Sequence, residues 1–372
     1  MPLFTLFATV FGLPLIISYA QTALSFAAGI AGIGFVIAFH ELGHFLAGKL
    51  FGLNFHSFSI GFGPKIIERK LLGTAFSISL IPLGGYVEPV EGTFKNPEPN
   101  TLMGMSYLQK MAIIIGGIAF NIIFAYIAFV GLYTTGIPGN PFMASDSHYC
   151  VQQFTSNDAP ALKGGLQLND TITHINNVLV EKNLNELLSL IKNNPQKPLI
   201  FKIQRDNQIK ELTITPDEKI ENGIKIGIIG VAFGFKETPA VPFLQAIKKA
   251  GSLLFSLMKT NINAFGSMFK KRTTNGLAGP IAIIAMGAQS AMHSFSLFII
   301  LLAYISIGLA VLNLLPLPIL DGGQMVSYTI EAIMGRQIHE KAKWFIHFAC
   351  WIAFLALFLY LSFKDIVMIW FK

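Results

Sequence analysis

The run His40-Glu41-Leu42-Gly43-His44 sets two imidazoles four residues apart with a carboxylate between them. On an α-helix that spacing turns the chain by only about 40°, so both rings share one face. Two neutral imidazoles on one face suit Zn²⁺, and the intervening glutamate can act as general base for a metal-activated water. The motif is short, and two histidines at a helix end emerging from a membrane would be merely amphipathic. Its surroundings favour chemistry. No charged residue occurs in 1–40, so three ionisable groups close a long uncharged run. A carboxylate at mid-membrane costs about 2.5–3.5 kcal/mol on insertion scales, which calls for a function.

A catalytic zinc needs three protein ligands and one open position. The extended metzincin motif is excluded, because Ala47 stands where a glycine is required and Leu50 where a histidine is required. Glu68 is near in the chain but sits between Lys65 and Arg69-Lys70, the pattern of a surface ion pair. His56 is the nearest remaining histidine; His148, His174, His293, His339 and His347 have no partner motif. Asp321 is the first charge after the uncharged stretch 273–320, in Asn313-Leu314-Leu315-Pro316-Leu317-Pro318-Ile319-Leu320-Asp321-Gly322-Gly323. Its two prolines end a helix and its two glycines allow close backbone approach. Taken alone, Asp321 reads equally well as a helix-capping aspartate.

The elements that must hold these groups follow from composition. Of 372 residues, 53% are hydrophobic and 13% charged, about half the charge of an ordinary globular domain. Charge is absent from 1–40, 111–145, 273–320 and 344–363, each long enough for a helix of about 20 residues to cross the hydrocarbon. The chain is expected to be a polytopic α-helical membrane protein with about four transmembrane helices. A soluble enzyme, a disulfide scaffold and a porin-like barrel are disfavoured. Cys150 and Cys350 are too few and too far apart for a cysteine metal cluster.

Along the chain, Pro14 separates an apolar N-terminal segment (1–16, within 1–23) from a first span at 24–50. Glycines and alternating runs such as Phe76-Ser77-Ile78-Ser79-Leu80 make 51–106 a membrane-associated strand and β-hairpin region. The second span is 107–133. Between the second and third spans, 145–236 has soluble-domain composition and is expected to be mostly β, with a hairpin at Asp206-Asn207 and a helix at 184–194. Residues 243–272 read as a basic amphipathic helix, 276–323 as the third-span region with a break before the span, and 344–363 as the fourth span. The net charge of +7 concentrates in 241–272, which carries six basic residues and no acid. Contact with anionic lipid suits that segment better than nucleic acid, which is not an expected partner. No Lys or Arg precedes Lys49, so the amino terminus is expected outside and the end of the first span inside.

His-Glu-Leu-Gly-His in the first span, with Asn-x-x-Pro-x-Pro-x-Leu-Asp-Gly-Gly in the third, resembles the site-2 protease family of intramembrane zinc metalloproteases, most closely the bacterial RseP type. Phe58 to Pro64, Ile81 to Val87, Gly116-Gly117 with Asn121, and Leu277 to Ile281 also match. Ser156 to Ile175 resembles the start of a PDZ domain, through Ala159-Pro160-Ala161, Gly165-Leu166 and Asn169-Asp170. The resemblance implies His40, His44 and Asp321 as zinc ligands and Glu41 as the base. It also implies a bacterial inner-membrane location, a cytoplasmic-side active centre and a periplasmic PDZ domain. The expected substrates are single-pass membrane proteins, such as anti-sigma factors or remnant signal peptides, with an upstream site-1 protease acting first. Two departures stand out: the insert has room for one PDZ domain where RseP-type chains often carry two, and 1–16 has no counterpart.

A substrate helix must unwind before its backbone is attacked, and the freed groups need partners away from water. The region 58–90, with Gly84-Gly85, can offer a sheet edge for strand addition. Asn313 is a candidate amide clamp on the extended substrate, with Pro316 and Pro318 beside it. Ile226, Gly227 and Ile228, facing the helix at 184–194, are the candidate peptide groove of the PDZ-like domain. A non-proteolytic scaffold would not need to retain Glu41, and a metal transporter would favour ionisable groups along several spans. Proteolysis is the preferred reading.

Overall fold

A computed structural model describes residues 13–93, 98–139, 149–180, 184–206, 208–221, 224–235, 237–271 and 278–370. The chain divides into two compact units, one formed by the residues up to Gly131 together with those from Phe243 on, the other by Leu132–Pro242.

In the first unit, α1 (Leu13–Leu50) carries the histidine motif and α2 (Tyr107–Thr135) follows the strand region. Among the described residues, four helices are long and apolar enough to cross a membrane: Gln21–Leu50, Tyr107–Thr135, Phe295–Asn313 and Glu340–Val367. Residues 1–12 of the expected N-terminal segment lie outside the described residues. The expected interruption before residue 24 is absent, since α1 runs unbroken from Leu13. Pro14 falls in the first described turn, where a missing N–H breaks no hydrogen bond among the described residues.

Strands β1 (Phe55–Leu71) and β2 (Thr74–Pro89) are long and bent. Their register gives more than a simple hairpin. Ser57, Phe58, Ser59 and Ile60 pair with Ala75, Phe76, Ser77 and Ile78 on one side, and with Glu88, Val87, Tyr86 and Gly85 on the other. The segment 85–89 is thus an edge, paired on one side only among the described residues. Phe45 of α1 packs with Phe55 and Phe58 of β1 and Ile113 of α2, fixing this sheet against the two helices that flank it.

Beyond the second unit, α5 (Phe243–Lys271) is followed by α6 (Pro280–His293), a break at Ser294, and α7 (Phe295–Asn313). The Ser294 side chain accepts a hydrogen bond from Ser296 N at 3.2 Å, which starts the new helix. A tight turn leads to α8 (Asp321–Met334), and α9 (Glu340–Trp370) closes the chain. From Trp344 to Tyr360, α9 exposes Trp344, Phe345, Phe348, Trp351 and Phe358. A helix apolar on every side is at home in lipid.

The second unit is β-rich. Its main sheet has the order β10 (Val231–Phe235), β3 (Tyr149–Phe154), β4 (Thr171–Ile175), β6 (Leu199–Arg205), β7 (Gln208–Ile214), with β5 (Val178–Leu179) paired to β4. Strands β8 (Asp217–Glu221) and β9 (Ile224–Ile228) form a separate ribbon, and α3 (Pro160–Lys163) and α4 (Leu184–Lys192) complete the unit. Alternation builds its core: Leu199, Phe201 and Ile203 of β6 face Leu187 and Ile191 of α4. Asp170 is buried and held by Arg205, whose Nε donates to Oδ1 at 2.7 Å and Nη2 to Oδ2 at 2.6 Å. The incoming and outgoing chains meet: Ile137 bridges Thr238, and Val241 N donates to Tyr133 O at 2.9 Å.

Candidate active site and metal centre

His40 and His44 lie where α1 crosses α2. That crossing is close because both helices place a glycine there: a Cβ on Gly43 would lie 2.3 Å from Gly116 O, and one on Gly117 would lie 2.4 Å from His44 Nε2. Small residues thus bring the two backbones together and leave room for the imidazoles.

Asp321 reaches the histidines from the first turn of α8. A carboxylate is favoured there by the helix dipole. Gly322 and Gly323 let this helix end close on the preceding turn, since a Cβ on Gly322 would lie 2.4 Å from Leu315 O and one on Gly323 would lie 2.0 Å from Leu317 O. Asp321 Oδ2 sits 3.1 Å from His40 Nε2 and 3.4 Å from His44 Nε2. The two Nε2 atoms are 3.1 Å apart. One donor atom from each residue falls within 4.8 Å of the others. Although so close to both rings, Asp321 Oδ2 is buried without a hydrogen bond among the described residues. A buried acceptor left unsatisfied between two imidazole nitrogens is the donor set a tetrahedral cation would complete. The residues fit zinc.

Glu41 lines the same cavity of about 380 Å³, together with Asn313, Val87, Pro89, Lys110, Gln324 and Tyr328. Burial pushes the Tyr328 phenol up to about 12, so this group stays neutral, and Lys110 Nζ lies 5.3 Å from its ring centroid. Asn313, the last residue of α7, is buried with Nδ2 3.2 Å from His40 Nε2.

A model of peptidase family M50 matches residues 28–358, a range that contains His40, Glu41, His44 and Asp321. The chain belongs to peptidase family M50. It is 30% identical over 95% of its length to a Campylobacter jejuni protein named as a zinc metalloprotease, covering 96% of that protein. A Helicobacter pylori protein of the same description is 31% identical over 90% of the chain and 98% of its own length. A chloroplastic membrane metalloprotease of Arabidopsis thaliana is 30% identical over 81% of the chain and 70% of its own length. This M50 chain is therefore a multi-pass membrane zinc metalloprotease of the site-2 protease family.

Glu68 pairs with Lys65 at 2.7 Å, and His56 is exposed on β1, so neither joins the cluster. Gly84 has φ +130° and a Cβ on it would strike the Phe62 ring at 2.3 Å, while one on Gly85 would lie 2.8 Å from Ser59 O and 3.7 Å from Glu41 Cγ, which places Gly85 beside the site. Pro316 and Pro318 shape the turn before α8 and are not among the described residues lining the cavity. Ile226, Gly227 and Ile228 lie on β9, in the separate ribbon, and this strand runs beside the helix at 184–194, since a Cβ on Gly227 would lie 2.3 Å from Ile191 O of α4. Among the described residues the main sheet has two edges, β10 (Val231–Phe235) and β7 (Gln208–Ile214). Sequence reasoning also missed a role for Asn121, an uncharged residue in an apolar helix, which is fully buried beside His40.

Proposed function

We propose that this protease cleaves a peptide bond within or beside the transmembrane helix of single-pass membrane proteins, in the manner of RseP-type enzymes. The observation that carries this reading is the convergence of His40, His44 and Asp321 on one point of a cavity that Glu41 shares, within a helix long enough to span a membrane. His40, His44 and Asp321 are the residues that would hold zinc. When bound, zinc polarises the scissile carbonyl and makes a nucleophile available near neutral pH. Glu41 accepts the proton released as the nucleophile attacks, and returns it to the leaving nitrogen as the C–N bond breaks. Asn313 presents an amide to the substrate backbone from the end of α7.

The edge 85–89 supports strand addition, because Val87 and Pro89 of that edge line the cavity. A substrate segment unwound from its helix would there recover backbone hydrogen bonds where water is scarce. Lys49, the first basic residue of the chain, supports a cytoplasmic placement of this end of α1 in a bacterial inner membrane. His40 would then sit about 14 Å above it along the helix. The β-rich unit is read as one PDZ-like periplasmic domain, with its groove between β9 and α4. Anti-sigma factors and remnant signal peptides are substrates of the fitting kind, trimmed first by an upstream protease.

Glu41→Gln tests the assignment. The variant should retain zinc and lose cleavage of a single-pass test substrate in detergent. Full activity would remove Glu41 from the chemistry.

A further inference from the structure

We propose that Asn121 is a positioning residue that decides which nitrogen of His40 carries the proton, by turning its amide oxygen toward His40 Nδ1 and so leaving Nε2 free to bind the metal. This rests on His40 being a zinc ligand. Asn121 is wholly buried on α2, and its Nδ2 lies 3.2 Å from His40 Nδ1. Its Oδ1 is buried without a hydrogen-bond partner among the described residues. The backbone there is pinned, because Ser306 Oγ of α7 donates to Asn121 O at 2.9 Å.

A neutral imidazole carries one proton and one lone pair, and each ring nitrogen's partner selects the tautomer. His44 has no choice. Its Nδ1 lies 2.9 Å from Ile113 O, a pure acceptor, so Nδ1 carries the proton and Nε2 offers its lone pair to the cluster. His40 differs, because an amide can present either end. With Nδ2 toward the ring, Nδ1 accepts and the proton sits on Nε2, where it blocks ligation. With Oδ1 toward the ring, Nδ1 donates and Nε2 is free to bind a cation beside Asp321. The two arrangements differ by a half-turn about the last side-chain bond, which exchanges groups of nearly equal size. That half-turn also gives the orphaned oxygen a donor. Metal-binding histidines generally donate their second N–H to such an oxygen, and its loss typically costs 10–100-fold in metal affinity.

The test is zinc affinity of the full-length protein in detergent, measured by competition with a chromogenic chelator. Asn121→Asp offers only acceptors and should bind zinc at least as tightly as the parent. Asn121→Ala should bind about 10–100-fold more weakly. Equal affinity of Asn121→Ala and parent would overturn the proposal, as would an Asp variant as weak as the Ala variant. Should Asn121→Ala fail to fold, the Asp variant decides alone: affinity equal to or above the parent supports the role, and a tenfold loss overturns it. His40→Ala run in parallel separates the two levels. Unchanged zinc binding there removes His40 from the ligand set, whereas a loss in His40→Ala with none in Asn121→Ala removes only the role of Asn121.

Discussion

Gly117 lies directly against His44: a β-carbon on that glycine would come within 2.4 Å of Nε2, the nitrogen that faces Asp321. The same carbon would stand 2.9 Å from His40 Cε1. A single methyl on α2 therefore contests the space of both imidazoles. Gly117→Ala should lower zinc affinity at least tenfold while leaving the helical circular dichroism unchanged. Gly131→Ala, on the same helix with nothing within 4 Å of its added carbon, is the matched control and should bind zinc normally. Equal zinc content in the two variants would show that the rings have room to move.

His44→Ala and Asp321→Ala each remove a proposed ligand and should lose bound zinc together with activity. This contrasts with Glu41→Gln, which should lose activity alone. Stoichiometric zinc at unchanged affinity in Asp321→Ala, by elemental analysis, would move the third ligand elsewhere.

Asp365 of α9 is buried and caps another helix. Its Oδ1 accepts from Gly279 N at 3.1 Å and its Oδ2 from Ala282 N at 2.9 Å, at the start of α6. Asp365→Ala leaves those amides without partners and should destabilise the protein by about 1–2 kcal/mol, the usual cost of a lost N-cap. Asp365→Asn keeps an acceptor and should lose less. Thermal unfolding in detergent would rank the three proteins; an Ala variant as stable as the parent would show that water replaces the cap.

In the β-rich unit, Arg205→Ala would strand the buried Asp170 carboxylate. Breaking a buried pair from one side costs about 3–5 kcal/mol. Limited proteolysis should then cut first within 149–235, with the membrane helices still protected. A variant as resistant as the parent would mean that Asp170 finds other partners, of which Gln167 N at 2.8 Å is one.

Excising the β-rich unit tests whether it filters substrates by size. With Ile137 joined to Thr238 by a short flexible linker, the variant should keep zinc and still cleave a short substrate. It should also gain cleavage of a substrate bearing a large external domain. Continued rejection of the bulky substrate by a zinc-bound variant would end the size-filter idea.

The chemistry was legible where spacing along one helix encodes it. His40, Glu41 and His44 share a face whatever the rest of the chain does. Asp321 is separated from them by most of the sequence, and its residue pattern alone left capping and ligation equally open; only the closure of α8 on its own turn separates them. The strand region was legible as strand, but not the double pairing of Ser57 to Ile60, because register depends on partners that local alternation does not specify. The start of the first span was placed at residue 24 from composition, whereas α1 is helical from Leu13. Asn121 stood out only as part of a matching segment, and its role was hidden for a different reason. An amide in an apolar helix has many uninformative explanations until its neighbour is known to be an imidazole nitrogen.

The bridge between Ile137 and Thr238 has a consequence for how such enzymes diversify. Because the insert leaves the chain at nearly the point where it arrived, its length is a free variable. A domain can be lost, exchanged or repeated in series without stretching the segments on either side. A change in the number of such domains would then need no compensating change near His40 or Asp321, and the membrane catalyst and its external attachments can follow separate histories.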